Sequence, residues 1–98
     1  MKTENLTREA LTRYAAENRE SFESLLKDFV EIPSVSVDPT KKNAIRENAK
    51  LAAEVIRRFG GEPAILETEG HPIVAGAWVK NPDWPTVTVY NHLDVQPA

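Results

Sequence analysis

An imidazole and a carboxylate stand two positions apart near the end of the sequence, at His92 and Asp94. A neutral imidazole binds a divalent metal through one ring nitrogen, while the other nitrogen needs a partner that fixes the tautomer and orients the ring. A carboxylate nearby can be that partner. On spacing alone, the more common arrangement is a histidine at a strand end followed by an aspartate that begins a turn. A metal site also needs about three to four protein ligands.

The residues before this pair predict the strand that would position it. Residues 86–91 read Thr-Val-Thr-Val-Tyr-Asn, and β-branched and aromatic side chains favour a strand. Pro97 has no N–H to donate to a neighbouring strand, so we expect pairing to stop there. Polar residues at the C-terminal end of a strand are typical of sites in α/β proteins.

Residues 89–98, Val-Tyr-Asn-His-Leu-Asp-Val-Gln-Pro-Ala, resemble a metal-binding motif of the dizinc metallopeptidases that include aminoacylase, glutamate carboxypeptidase and carnosine dipeptidase. The motif sequence is most similar to that of the dipeptidase branch, except that Asn91 stands where the family usually has glycine. Residues 26–36 resemble the opening helix and loop of that family, residues 49–61 its second helix, and residues 70–74 the turn into its second strand. The resemblance therefore covers roughly residues 20–98.

The resemblance implies a role for each residue of the motif. His92 would be a ligand of one of two zinc ions, and Asp94 would be the catalytic-site carboxylate that orients His92. The family's other ligands and its general-base glutamate follow this motif. The resemblance thus implies an N-terminal fragment of a zinc hydrolase that cleaves dipeptides or N-acyl amino acids. The fragment would be inactive by itself, and the complete enzyme could be a homodimer.

Composition limits the other possibilities. The 98 residues allow one domain at most. With 41% hydrophobic and 28% charged residues, the chain is too apolar to be disordered. A net charge of −3 does not suggest nucleic acid, and there is no cysteine for a disulfide or a thiolate metal site. No apolar run is long enough to span a membrane and no secretory signal is visible, so we expect a cytoplasmic protein.

The region Thr7–Glu31 predicts one long helix or two abutting helices, because its apolar residues recur at alternating steps of three and four. Thr7 is a suitable N-cap. Asn18 interrupts the apolar stripe, so we expect residues 1–18 to be a solvated helical arm, with a dimer contact as the alternative.

A second helix is predicted from Thr40 to Phe59, and Gly60-Gly61 after it is typical of a left-handed C-cap. The loop between the helices carries Ser34 and Ser36, which we interpret as turn residues because no local motif supplies a nucleophilic serine with its base.

Two further strands are predicted, Ala64–Thr68 and Ile73–Val79, with Gly76 marking a bulge or a close backbone approach. If these strands paired simply with residues 86–91, His71 would lie at the opposite strand end from His92, so we do not expect His71 to be a ligand. The predicted fold is thus α/β or α+β, with two helical regions and then three strands of a mixed sheet. We expect residues 1–98 to form the N-terminal part of a metallopeptidase catalytic domain.

Two other functions remain open at this point. The chain could be a short binding or assembly module that pairs with a partner through its open sheet edge. Alternatively, three or four copies could gather His92 around a shared metal. Substrate side chain, native metal and oligomeric state are not readable from the sequence.

Overall fold

The computed structural model describes residues 6–97. Its elements, in chain order, are the helices α1 (Arg8–Glu17) and α2 (Arg19–Glu31), a 3-10 helix (Pro39–Lys41), the helix α3 (Lys42–Arg58), and the strands β1 (Glu62–Leu66) and β2 (Ile73–Ala77). Helices and strands are both present, so the mixed fold class is confirmed. The chain divides into two compact units, Met1–Val30 and Glu31–Ala98. Over the described range, no helix combines the length and the apolar character needed to cross a bilayer.

The first unit contains two abutting helices that are separated at Asn18. The side chain of Thr7 caps α1 by accepting a hydrogen bond from the backbone of Ala10. At the other end, Asn18 is the C-cap of α1, and its side-chain amide donates to the carbonyl oxygen of Tyr14 at 2.8 Å, beside the backbone N–H of Asn18, which donates to the same oxygen at 3.0 Å. Across the break, the rings of Tyr14 and Phe22 lie 6.0 Å apart. Neither helix buries a residue, and a solvated arm over residues 1–18 stays a prediction.

In the second unit, α3 supplies the core. Asp38 accepts hydrogen bonds from the backbone and hydroxyl of Thr40, which caps the 3-10 helix that leads into α3. The face of α3 that is buried consists mostly of small side chains: Ala44, Ile45, Asn48, Ala49, Ala52 and Ala53. Because alanine side chains are short, the helix backbone can approach the strands closely.

The C-terminal end of α3 has the double-glycine cap that the sequence predicts. Gly60 has φ of +88°, which glycine adopts without steric cost. Its N–H bonds to the carbonyl of Arg57, and the N–H of Gly61 bonds to the carbonyl of Ile56, which is the Schellman pattern. The indole N–H of Trp78 donates to the carbonyl of Phe59 at 2.9 Å and satisfies one more free group of the helix end.

Strands β1 and β2 form an antiparallel hairpin in the register Ala64↔Ala75. Both strands pack against α3. A Cβ atom added at Gly76 would lie 2.8 Å from Cδ1 of Ile56, so Gly76 marks a close approach between β2 and α3, and the regular register excludes a bulge there. The strands are shifted by up to two residues from their predicted bounds.

The prediction of a third strand and of a mixed sheet is wrong for the described residues. Residues 86–91 have no strand conformation, and the backbone hydrogen bonds of residues 6–97 include none to this stretch. Val87 and Tyr90 are 85% and 88% exposed. High strand propensity reflects packing against neighbouring strands, and β1 and β2 pair with each other instead. Asn91 does not have positive φ, so this position does not require glycine.

Candidate metal centre

Two backbone groups of the segment that carries His92 and Asp94 form hydrogen bonds with the rest of its unit. The N–H of Val95 donates to the carbonyl of Ser34 at 3.1 Å. The side-chain amide of Asn48, on α3, donates to the carbonyl of Leu93 at 2.9 Å. The segment is therefore tethered on both sides of Asp94 although it belongs to no strand.

Asn48 is the buried end of this arrangement. It is 3% exposed, and its Nδ2 also donates to Oγ of Ser34, which is fully buried, at 3.0 Å. A carbonyl oxygen can only accept, so the amide nitrogen must face Leu93. This orientation leaves Oδ1 of Asn48 buried and without a hydrogen-bond partner among the described residues. Because buried polar groups are usually satisfied, this helix position serves the motif at some cost in free energy.

The carboxylate of Asp94 has a separate partner on each oxygen. Oδ2 accepts a hydrogen bond of 2.7 Å from the Ser36 hydroxyl, and Oδ1 lies 3.2 Å from Nδ1 of His92. The Ser36 hydroxyl, which stabilises the ionised form, holds the pKa of Asp94 below its usual value, and the bond from His92 acts in the same direction. Asp94 is therefore an ionised acceptor at neutral pH.

These contacts determine the tautomer of His92. An ionised carboxylate only accepts hydrogen bonds, so Nδ1 carries the hydrogen and, in the neutral ring, Nε2 carries the lone pair. The side chain of His92 is 74% exposed whereas that of Asp94 is 31% exposed. Within the described range, Nε2 makes no hydrogen bond. The imidazole is thus oriented from its inner nitrogen and presents the outer one to the exterior.

Both histidines line one cleft of about 260 Å³. His71 lies in the turn between β1 and β2, where Thr68 Oγ1 donates to the carbonyl of His71 and accepts from the backbone of Gly70. The opposite-end placement of the two histidines assumed that residues 86–91 pair with these strands, and within residues 6–97 β1 and β2 pair only with each other. Nε2 of His71 lies 2.8 Å from the carbonyl of Ser36, so Nε2 carries a hydrogen and, in the neutral ring, the lone pair of His71 is on Nδ1.

The donor set fits one corner of a metal site. His92 offers a free imidazole nitrogen whose partner nitrogen is bonded to a carboxylate, which is the arrangement found around histidine ligands of zinc. Over residues 6–97, however, no three histidine, aspartate or glutamate side chains are grouped closely enough to hold a metal ion. One imidazole is fewer than the three or more protein ligands of a zinc site.

Sequence reasoning singled out His92 and Asp94 as candidate site residues, which stays a prediction, but did not connect them with the three residues that contact their segment: Ser34, Ser36 and Asn48. One signal for Asn48 was available, since it interrupts the otherwise apolar stripe of α3 at Ala44, Ile45, Ala49 and Ala52. A polar residue on a buried helix face normally has a hydrogen-bonding task. The two serines gave no comparable signal, because serine is common in loops.

Comparison with known proteins finds dipeptidases among the relatives of the chain. The chain is 32% identical, over 82% of its length, to a Cys-Gly metallodipeptidase of Schizosaccharomyces pombe. It is 30% identical to the Beta-Ala-His dipeptidases of Mus musculus and Rattus norvegicus, over 92% and 94% of its length. The chain spans about a fifth of the length of these relatives. No family model matches the chain, and no solved structure matches it significantly.

The three relatives are dipeptidases by name, and one of them is explicitly a metallodipeptidase. Over a length equal to about a fifth of these relatives, the chain is therefore similar to dipeptidases.

Proposed function

We propose that this chain contributes the first ligand of the two-zinc active site of an enzyme that hydrolyses dipeptides. His92 would bind one zinc ion through Nε2, and Asp94 would orient the ring through Nδ1. The observation that carries the proposal is the contact between Nδ1 of His92 and Oδ1 of Asp94 at 3.2 Å, with the imidazole exposed at a cleft.

The ligand count sets the scope of this proposal. One imidazole and its carboxylate partner are too few for a zinc site, and the chain spans about a fifth of its relatives. The remaining ligands and the general base would come from residues outside this sequence. By itself, the 98-residue chain is expected to bind zinc weakly and to be inactive.

The chemistry of each part follows from its position. Zinc held by His92 and by ligands from outside this sequence would supply Lewis-acid activation of the scissile carbonyl and of the attacking water. Within this chain, Asp94 keeps the hydrogen on Nδ1 of His92, so that the lone pair of Nε2 remains available as a ligand. The Ser36 hydroxyl keeps Asp94 ionised and oriented. No group described in this chain is required to move a proton during hydrolysis.

The substrate class is inferred from the relatives. They are named for Cys-Gly and for Beta-Ala-His, two dipeptides that differ in side chains but share a free amino group, which N-acyl amino acids lack, as well as one amide bond and a free carboxylate. We therefore favour dipeptides over N-acyl amino acids, without a preference for one side chain. Cytoplasmic location and a homodimer of the complete protein stay predictions.

The experiment is a hydrolysis assay of the complete polypeptide that carries this segment, with Cys-Gly, β-Ala-His and an N-acetyl amino acid as substrates. We expect metal-dependent cleavage of at least one dipeptide, lost on chelation and restored by zinc. Asp94→Ala should reduce activity or zinc affinity by roughly 10–100-fold, the range for loss of a partner that orients a ligand. No cleavage of either dipeptide at full zinc occupancy would contradict the proposed substrate class.

A second candidate is an assembly module, and one observation favours it. Val87, Val89 and Tyr90 are 85%, 76% and 88% exposed. The stretch that contains them makes no backbone hydrogen bond within the described residues. Such a segment can pair with another chain. Size-exclusion chromatography of the 98-residue chain, with and without zinc, separates the possibilities: a defined zinc-independent oligomer supports the module, and an oligomer that forms only with zinc supports copies sharing a metal through His92.

A further inference from the structure

We propose that Ser36 is the positioning residue that sets the orientation of the Asp94 carboxylate and, through it, the tautomer of His92. This inference deepens the proposed function, and its relevance to metal binding depends on that function. The loop that carries Ser36 lies 58 positions before Asp94 in the sequence, so the contact is formed only by folding. Nothing in the motif around His92 itself requires this serine.

The two contacts of the carboxylate differ in strength. The bond from Oγ of Ser36 to Oδ2 is 2.7 Å long, in the range of hydroxyl bonds to an ionised acceptor, which are about twice as strong as neutral ones. The contact from Nδ1 of His92 to Oδ1 is 3.2 Å long, at the upper end of the usual range for nitrogen donors. The hydrogen bond from Ser36 is therefore the stronger of the two that Asp94 accepts.

The exposures of the two paired side chains support the same conclusion. The His92 side chain is 74% exposed, whereas that of Asp94 is 31% exposed. The exposed ring has few other contacts, so it constrains the half-buried carboxylate less than the Ser36 hydroxyl does. Ser36 thus orients the carboxylate of Asp94, and Asp94 in turn orients the ring of His92.

Ser36 can act in this way because its own backbone is held. Its carbonyl oxygen accepts a hydrogen bond of 2.8 Å from Nε2 of His71, in the turn between β1 and β2. One residue earlier, the carbonyl of Val35 accepts from the N–H of Asp38 at 3.1 Å, which closes the loop into a turn. Two residues earlier, Ser34 is fully buried against Asn48. The position of the Ser36 hydroxyl is therefore fixed by the hydrogen bonds of the loop that carries it.

The test compares side chains of matched shape with and without the hydroxyl: Ser36→Ala, Ser36→Thr and Ser36→Val. The measurement is long-range ¹⁵N–¹H correlation NMR of His92 in the metal-free 98-residue chain, recorded at an alkaline pH at which the ¹⁵N shifts themselves show a neutral ring. Protonated and unprotonated ring nitrogens have distinct ¹⁵N shifts, so the spectrum reports the tautomer directly. Ser24→Ala, the same change at an exposed position of α2, is the control.

We expect the wild-type chain, Ser24→Ala and Ser36→Thr to show His92 as the single tautomer with hydrogen on Nδ1. Ser36→Ala and Ser36→Val should show a mixture of both tautomers, because Asp94 is no longer held toward the ring. Threonine and valine differ only by hydroxyl and methyl, so a difference between them isolates the hydrogen bond. Circular dichroism identifies any variant that is unfolded, and Ser36→Ala, which removes one atom, is the least disruptive of the three.

The inference is overturned if folded Ser36→Ala or Ser36→Val retains the wild-type tautomer. The NMR measurement is made without metal, so its result does not depend on whether the complete polypeptide binds zinc. A failure of this inference can therefore be distinguished from a failure of the proposed function. In that polypeptide, Ser36→Ala should weaken zinc affinity by roughly 10-fold, the lower end of the range for a lost orienting partner, and Ser36→Thr should restore most of it. Full zinc affinity in Ser36→Ala would show that the tautomer has no consequence for the metal.

Discussion

Replacement of Asn48 by alanine tests the tethering of the motif most severely. In the wild-type chain, Nδ2 of Asn48 donates to the carbonyl of Leu93 and to the hydroxyl of Ser34, at 2.9 and 3.0 Å. Alanine removes both bonds while keeping a good helix former in α3. Ser34 is fully buried, so its hydroxyl cannot find water in place of the lost donor.

The magnitude follows from those burials. A buried polar group left unsatisfied costs roughly 1–3 kcal/mol, and an ordinary exposed bond contributes about 0.5–1.5 kcal/mol. Ser34 falls in the first class, whereas Leu93, 39% exposed, falls in the second. The unpartnered Oδ1 of Asn48 disappears with the amide, which offsets part of the loss. We therefore expect Asn48→Ala to lower the free energy of unfolding by roughly 1–3 kcal/mol.

The assay is urea denaturation monitored by circular dichroism, with Asn48→Asp and the Ser34→Ala/Asn48→Ala double variant alongside. Aspartate keeps the shape but places an acceptor against the carbonyl of Leu93 and buries a charge, so it should be worse than alanine. In the double variant the orphaned hydroxyl is gone, so its loss should be smaller than the sum of the single losses. Strict additivity, or Asn48→Asp as stable as wild type, would refute the tethering role.

The remaining predictions concern the hairpin and its contact with α3. Gly76→Ala should destabilise the fold by about 1–3 kcal/mol, because the new Cβ would lie 2.8 Å from Ile56, whereas Gly70→Ala, whose Cβ would meet nothing nearer than 3.8 Å, should change little in the same urea assay; equal losses would contradict the close approach. The pKa of Glu67 is lowered from 4.5 by hydrogen bonds from Arg46, so the stability it contributes is present above that pH and lost as the pH falls through its folded pKa. The stability difference between wild type and Glu67→Gln should therefore shrink in acid, and a difference that is constant with pH would contradict the assignment.

The helices were predictable because their signals are local. The glycine pair after α3 has the left-handed cap that its composition predicts, with Gly60 at φ of +88°. Asn18 divides the first helical region, and its amide bonds to the preceding turn, a contact that its side-chain chemistry suggests. These features depend on residues within about one helical turn.

The third strand was not predictable from propensity, because a strand depends on what lies beside it. Residues 86–91 have the composition of a strand, yet β1 and β2 pair with each other and leave this stretch without a partner among the described residues. The expected placement of His71 at the opposite strand end from His92 assumed this third strand, and both histidines line one cleft.

The candidate site was predictable in its chemical groups and not in its supports. His92 and Asp94 are close because they are two residues apart. The contacts that orient them span 45 residues from Asn48 to Leu93 and 58 residues from Ser36 to Asp94. Such long-range hydrogen bonds are set by the packing of α3 and the loop before it. The sequence marks Asn48 as a polar residue on an apolar helix face, but it does not show which carbonyl the side chain reaches.

The most direct test of the account is the zinc content of the complete polypeptide that carries this segment, measured by elemental analysis for wild type, His92→Ala and the exposed control Ser24→Ala. The account predicts that His92→Ala loses zinc and, with it, nearly all dipeptide hydrolysis, while Ser24→Ala keeps both. A folded His92→Ala protein with the wild-type zinc content and turnover would contradict the assignment of His92 as a metal ligand.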